Sequence, residues 1–276
     1  FFQAEDGIRV LVRSRGLGDV YKRRALAGCN LTQVDSPPAG DPPASGTAAS
    51  GWTTIAPGIE RREMALPVAS ASAQGTALLV RVDSTVATLG VKYSPGEAHT
   101  LGEWQRLLPH AQVIINGAFF DEKDHALCLI ISDGQGYGEP FVGFGGMLQV
   151  DASGARVRSL VSSPYQGERL WQAVQAFPVL IEHGGVLAPQ GDGFDERSRR
   201  TWIGQDRAGR VILGVTHNLI TLADLQAWLL ASDLDLEVAF ALDGGRSTGM
   251  VIQTPSHQES YPAFDRLPSV VVVYAP

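Results

Sequence analysis

From about Gly51 onward the sequence is cut into short apolar runs, and this punctuation constrains the fold more than any other feature. Thr76–Val82 (TALLVRV), Ala111–Ile115 (AQVII), Leu236–Leu242 (LEVAFAL) and Ser269–Tyr274 (SVVVVY) are each flanked on at least one side by Gly, Asp, Asn or Pro. Runs of this length, rich in Val, Ile and Leu, read as strands. None approaches the roughly 18 apolar residues that a membrane-spanning helix needs. Gly (31) and Pro (16) are plentiful, as a turn-rich strand fold requires.

The same pattern places strands at Val86–Tyr93, Leu127–Ile131, Val179–Glu182 and Thr248–Gln253. Asp151-Ala152-Ser153-Gly154, between Gly146–Val150 and Ala155–Leu160, marks a hairpin. Asp206-Arg207-Ala208-Gly209, between Thr201–Gln205 and Arg210–Val215, marks a second. Helical spacing occurs twice. Leu101–Leu108 stops before Pro109, and Thr221–Ala231 opens on a capping Thr221 with Asp224 in its first turn. The second helix gathers Leu222, Leu225, Trp228 and Leu229 on one face. Trp171–Ala176 fits either element. The expected architecture is α+β: a single domain over residues 51–276, of mixed, largely antiparallel sheet with a few packed helices.

The first fifty residues read differently. Phe1–Arg24 has neither helical nor strand periodicity and resembles translated sequencing-adapter read-through, so residues 1–28 are set aside as a non-native N-terminus. Leu26-Ala27-Gly28-Cys29 resembles a lipobox, in which Cys29 would carry a lipid. Residues 29–50 have the Pro, Gly, Ser and Ala composition of a linker. Anchor and tether together imply an extracytoplasmic protein that meets a membrane only through Cys29.

Net charge is −7, and residues 1–28 contribute six basic and three acidic side chains, which leaves −10 on the remainder. So acidic a body is not a nucleic-acid binder, because phosphate neutralisation needs clustered Lys and Arg. Any anionic substrate must be met by local donors. The two cysteines, Cys29 and Cys128, make no disulfide framework or zinc site, and Cys128 lies in an apolar run as a core thiol would.

Two strand ends carry the candidate chemistry. In the first, a buried strand delivers Asn116, followed by Gly117. In the second, a buried strand delivers Asp243, followed by Gly244, Gly245, Arg246, Ser247 and Thr248. Glycine amides and hydroxyls in such a turn suit an anion, and Asp243 suits acid, base, nucleophile or metal-ligand work. Each motif alone is also what a tight turn after a core strand looks like.

Six segments in order carry a resemblance: NGAFF, ISDG, QAFPVLIEHG, RRTWIG, the TLADLQAWLL helix and ALDGGRSTGM. Together, over about residues 75–275, they resemble the phosphodiester glycosidase family. Its members include the enzyme that removes N-acetylglucosamine from lysosomal mannose phosphate and many secreted bacterial proteins. The resemblance implies a hydrolase cleaving a sugar-1-phosphodiester, with Asn116, Arg200 and Asp243 as catalytic candidates. Gly117, Thr201, Gly244, Gly245, Ser247 and Thr248 are the implied substrate and phosphate contacts. The chain departs from the family pattern at Ala118, where Gly is common, at Phe119, where Tyr often stands, and at Arg246, which replaces a small residue or Pro.

Phosphate is a good leaving group, so the chief need is to stabilise its departing charge. Arg200 offers a planar clamp, the Gly244 and Gly245 amides with Ser247 and Thr248 complete the anion site, and Asp243 activates water or stabilises the sugar cation. Asn116 would fix a sugar hydroxyl or the attacking water. Weaker candidates are Asp121, Asp133 and Glu182 as a second carboxylate, His183 and His217 as lining groups, and Arg246 as a further phosphate contact. No cofactor is required. A divalent cation on Asp243, Asn116 and a third oxygen is compatible with the residue types, although no ligand spacing demands it. The rival readings are a non-catalytic glycan- or phosphoglycan-binding lipoprotein and an exopolysaccharide-assembly protein on the same fold.

Overall fold

The computed structural model describes residues 51–67 and 75–276; the lipobox-like and linker segments lie outside the described residues. The described residues build three antiparallel sheets. In chain order the strands are β1 (Thr53–Ala56), β2 (Ile59–Leu66), β3 (Gly75–Val82), β4 (Thr88–Tyr93), β5 (Val113–Asn116), β6 (Ile130–Ser132), β7 (Gln135–Tyr137), β8 (Gly146–Asp151) and β9 (Gly154–Ser159). The second half supplies β10 (Gln172–Ala176), β11 (Val179–Glu182), β12 (Val186–Leu187), β13 (Thr201–Asp206), β14 (Val211–Thr216), β15 (Leu236–Ala241), β16 (Met250–Gln253), β17 (Gln258–Tyr261) and β18 (Ser269–Tyr274).

The largest sheet runs β1-β2-β3-β14-β13-β15-β11-β12, a second runs β7-β6-β10-β8-β9, and a third runs β17-β16-β5-β18-β4. The expected mixture of strand directions is corrected here: every pairing among the described strands is antiparallel. Both expected hairpins form, β8–β9 and β13–β14.

Side-chain alternation along each central strand explains why its sequence is apolar without a break. Leu78, Val80 and Val82 of β3 face a core shared by all three sheets, while Ala77 and Leu79 face outward. β5 sends Val113 and Ile115 inward and Ile114 outward, and β18 sends Val271 and Val273 inward and Val270 and Val272 outward. A cover over each outer face turns these into buried surfaces. Two helices among the described residues provide two of the covers. Helix α1 (Leu101–Leu107) lies on the third sheet through Leu101 and Trp104, and its start is fixed by a reciprocal cap between Thr100 and Glu103. Helix α2 (Leu222–Ala231), capped by Thr221, lies on the largest sheet through Leu222, Leu225 and Leu229. Its fourth buried residue is Gln226, whose amide donates to Leu180 O and Ala188 O. The expected Trp228 sits at the edge of that face, its indole N–H donating to Ala65 O.

Candidate active site

The ends of β5 and β15 and the beginnings of β13 and β16 meet at one buried amide, that of Asn116. Its Oδ1 accepts from Thr201 Oγ1 (2.8 Å) and from the Gly249 N–H (3.1 Å). Its Nδ2 donates to Asp243 O (2.8 Å). Main-chain bonds repeat the connection: Leu242 N–H to Thr201 O (2.9 Å), Asn116 N–H to Gly249 O (3.2 Å) and Asp243 N–H to Gly117 O (3.3 Å). Asn116 and Thr201 have no exposed surface. Gly117 is glycine for contact reasons, since a Cβ there would stand 2.3 Å from Ser269 Oγ.

Past Asp243 the chain turns through Gly244 into a 3-10 turn, Gly245–Ser247, with Gly245 in the left-handed region (φ 64°). The turn is held from outside by Arg199. Its backbone O accepts from Gly245 N–H (2.8 Å), and its guanidinium donates to Gly245 O (3.0 Å), Pro262 O (3.1 Å) and Arg246 O (3.3 Å). The guanidinium also lies over the rings of Phe264 and Tyr261, at 4.1 and 5.1 Å.

Asp243 has its pKa pushed up to about 6. Loss of surrounding water raises it and Asp265 adds to the rise, while the Ser247 hydroxyl and the Gly244 N–H hold it back. The Gly244 and Gly245 amides and the Ser247 hydroxyl are therefore turned onto the protein itself, onto Asp243 and Arg199, rather than outward to a ligand. Thr248 is fully buried and its hydroxyl has no hydrogen-bond partner.

Arg200 is a partly buried cation beside this turn. Its amide donates to Thr216 Oγ1 (2.8 Å), its Nε to Ile220 O (3.1 Å) and one terminal nitrogen to Glu196 O. The other terminal nitrogen stands 4.0 Å from the position a Gly244 Cβ would take. Partial burial pulls its pKa down, against Glu196. His217 joins the cluster at its rim: the ring stacks on Tyr261 (4.5 Å) and Nδ1 meets Thr76 Oγ1 (2.9 Å), while Nε2 is buried without a partner. Arg246 is exposed and pairs with Asp265 (2.7 Å). Four part-buried phenylalanines cluster around Phe177. Pro178 O accepts from Ala241 N–H (2.8 Å), which sets Phe177 beside the end of β15, and Phe177 packs on Phe119 (4.8 Å), Phe141 (5.6 Å) and Phe144 (6.0 Å).

Four sequence candidates are occupied elsewhere. Asp121 closes its own turn by accepting from the Lys123 and His125 N–H groups (both 2.8 Å). Asp133 pairs with Lys92 (2.6 Å) and Gln172 (2.8 Å). Glu182 accepts from Ser159 Oγ (2.9 Å), and His183 sits by Glu237 (3.6 Å). Cys128 is the buried thiol its apolar run implied: Sγ donates to Gln175 O (2.8 Å) and burial pushes its pKa up to about 12. Among the described residues no three His, Cys, Asp or Glu side chains converge as metal ligands would.

Sequence reasoning noted Phe119 only as a departure from the family pattern and passed over Arg199, Thr216, Tyr261, Phe141, Phe144 and Phe177 as site residues. The strand period offered one signal, since Arg199 and Thr201 alternate with Arg200 and so differ from it in facing. The Tyr261-Pro262-Ala263-Phe264 segment offered another, as an aromatic loop with no core assignment.

The family model of phosphodiester glycosidases matches residues 109–274, which span β5 and the turn after β15. Among solved structures, the catalytic domain of zebrafish N-acetylglucosamine-1-phosphodiester alpha-N-acetylglucosaminidase, auto-inhibited by its pro-peptide, is similar. Its TM-score is 0.63 at 20% identity, over 83% of this chain and 87% of that one. A Synechocystis protein is similar with a TM-score of 0.59 at 14% identity, over 79% of this chain and 62% of that one. A Burkholderia pseudomallei protein follows with a TM-score of 0.53 at 12% identity, over 75% of each chain. No curated protein matches the chain. With the family model covering the greater part of the described residues and the fold shared, the chain belongs to the phosphodiester glycosidase family.

Proposed function

We propose that the chain hydrolyses a sugar-1-phosphodiester and that Asp243 performs the proton transfer. The observation that carries this reading is a carboxyl pushed up to about 6 by burial, at the meeting of strand ends, with an Arg200 nitrogen about 4.0 Å from where a Cβ on the following glycine would stand. As the oxygen of a water molecule bonds to the anomeric carbon, its proton passes to the Asp243 carboxylate. The bond between that carbon and the phosphate oxygen breaks, and the phosphomonoester leaves with its charge beside Arg200. Phosphate leaves readily without prior protonation, so one carboxylate suffices.

Asn116 and Thr201 act as positioning residues, because their polar atoms are used inside the protein. Arg199 shapes the turn, and Arg200 meets the anion. N-acetylglucosamine is the first sugar to test, because the similar zebrafish protein is named for it. An extracytoplasmic setting is part of the proposal, supported by the Leu26-Ala27-Gly28-Cys29 sequence.

The test is sugar release from a panel of sugar-1-phosphodiesters by the full chain, beside Asp243→Asn and Arg200→Ala, with and without chelator and in 18O-labelled water. Release that both substitutions abolish, with the label in the sugar, supports the mechanism. Label in the phosphate would move the attack to phosphorus. Binding of a substrate without release from any member would favour a glycan-binding role.

A further inference from the structure

A cleft of about 670 Å³ lies away from Asp243. It lies on the outer face of the second sheet, with Leu129, Ile131 and Leu170 as its apolar floor. Trp171 forms one side. Its indole rests on Gly134, where a Cβ would meet the ring at 3.3 Å, and the residue is nevertheless 61% exposed. Its main chain is tied at both ends, Trp171 N–H to Val150 O (3.1 Å) and Gly134 N–H to Trp171 O (2.8 Å). A large aromatic ring held rigidly with much of its surface in water is costly unless something covers it.

Asp133, Asp151 and Glu168 line the rim with Tyr165, and each carboxylate is already oriented by neighbours: Lys92 with Gln172, Ser153 with Gln149, and Arg158. An ordered ring beside preset acceptors suits a polyol, whose C–H face covers the ring while its hydroxyls donate to the carboxylates. Lys92, Arg158 and the lining Arg169 balance the three carboxylates, so the rim holds no net charge that calls for an ionic occupant.

We propose that this cleft is a second carbohydrate site, for a neutral glycan chain, with Trp171 as its stacking platform. It is separate from the Asp243 site and does not depend on hydrolysis there.

The experiment is calorimetric titration of the full chain with neutral tetrasaccharides (chitotetraose, cellotetraose, maltotetraose and xylotetraose) and with glucose-1-phosphate. The variants are Trp171→Ala, Trp171→Phe and Asp243→Asn, with the thermal midpoint of each as a folding control. At least one neutral tetrasaccharide binds, Trp171→Ala weakens that binding by about tenfold or more, and Trp171→Phe retains part of it. Asp243→Asn leaves it unchanged. The proposal is overturned if none of the four binds at millimolar concentration, if glucose-1-phosphate binds the Trp171 face instead, or if the tetrasaccharide affinity follows Asp243 rather than Trp171.

Discussion

Asp243 and the carboxylates around Trp171 belong to the same acidic protein, yet their surroundings treat them in opposite ways. Asp243 is stripped of water, and the Ser247 hydroxyl and Gly244 N–H offset that loss only in part, so its pKa rises. Asp133, held by Lys92 and Gln172, and Asp151, held by Ser153, fall below the usual carboxylate range. Glu168 is partly desolvated, but Arg158 still brings it down. Partners in water-accessible positions fix a charge, whereas burial with few partners leaves a proton exchangeable near neutral pH. The first arrangement suits binding, the second proton transfer.

The sharpest way to break this contrast is Asp243→Asn, which is expected to lower sugar release about a thousandfold, measured as kcat/KM on a responsive sugar-1-phosphodiester. Next in size is Asn116→Ala. It strands Thr201 Oγ1, the Gly249 N–H and Asp243 O inside the protein, and at about 1–3 kcal/mol for each buried orphan the fold loses roughly 3 kcal/mol or more. A urea midpoint that stays near wild type would show that the amide holds nothing together.

Stability tests the sign of the contrast. A raised carboxyl favours the folded state below its unfolded pKa, and that contribution is lost as pH climbs through the folded value. Asp243→Asn therefore stabilises the fold at pH 7.5, and the gain disappears near pH 3.5. The rise from 3.8 to about 6 caps the effect at roughly 3 kcal/mol, and solvent at the open edge of the carboxyl brings it to about 1–2 kcal/mol. Asp133 has the opposite sign, because its stabilising contribution is present above the unfolded pKa and lost as pH falls. With its side chain 53% exposed, Asp133→Asn changes stability by less than about 0.5 kcal/mol. Equal and same-signed pH responses in the two variants would erase the distinction.

The smallest effect expected is in the pH profile. kcat/KM rises through a limb near 6 as Asp243 loses its proton. Ser247→Ala removes a hydrogen bond that favours the carboxylate and moves the limb upward by about half a unit. A downward shift would mean that Ser247 serves the protonated form.

Much of this arrangement was legible in the sequence because central strands are covered on both faces and so announce themselves as apolar runs. Ile59–Leu66 was not legible: Arg61, Arg62 and Glu63 break its pattern, and the structure shows why they are tolerated. Arg61 pairs with Glu259 (2.9 Å) and Arg62 with Asp233 (2.8 Å), both far away in sequence. Helix starts were legible at Thr221 because a cap is local. At the candidate site, the Asn-Gly and Asp-Gly-Gly turns could be found as strand ends. What Arg199 does could not, since its three carbonyl partners lie 46 to 63 residues away. For the same reason the sequence placed Asn116 against a ligand, when its contacts are with the protein.

The amide of Asn116 has a kinetic consequence. Its side-chain partners are separated from it by 85, 127 and 133 residues, and they come from two different sheets. Each link closes a long loop, and contacts of that span form late. Hairpins such as β8–β9 can assemble early in folding and yet leave Asp243 without its surroundings. Recovery of activity on dilution from denaturant should therefore trail the recovery of strand signal, so that catalysis reports the last step of assembly rather than the first.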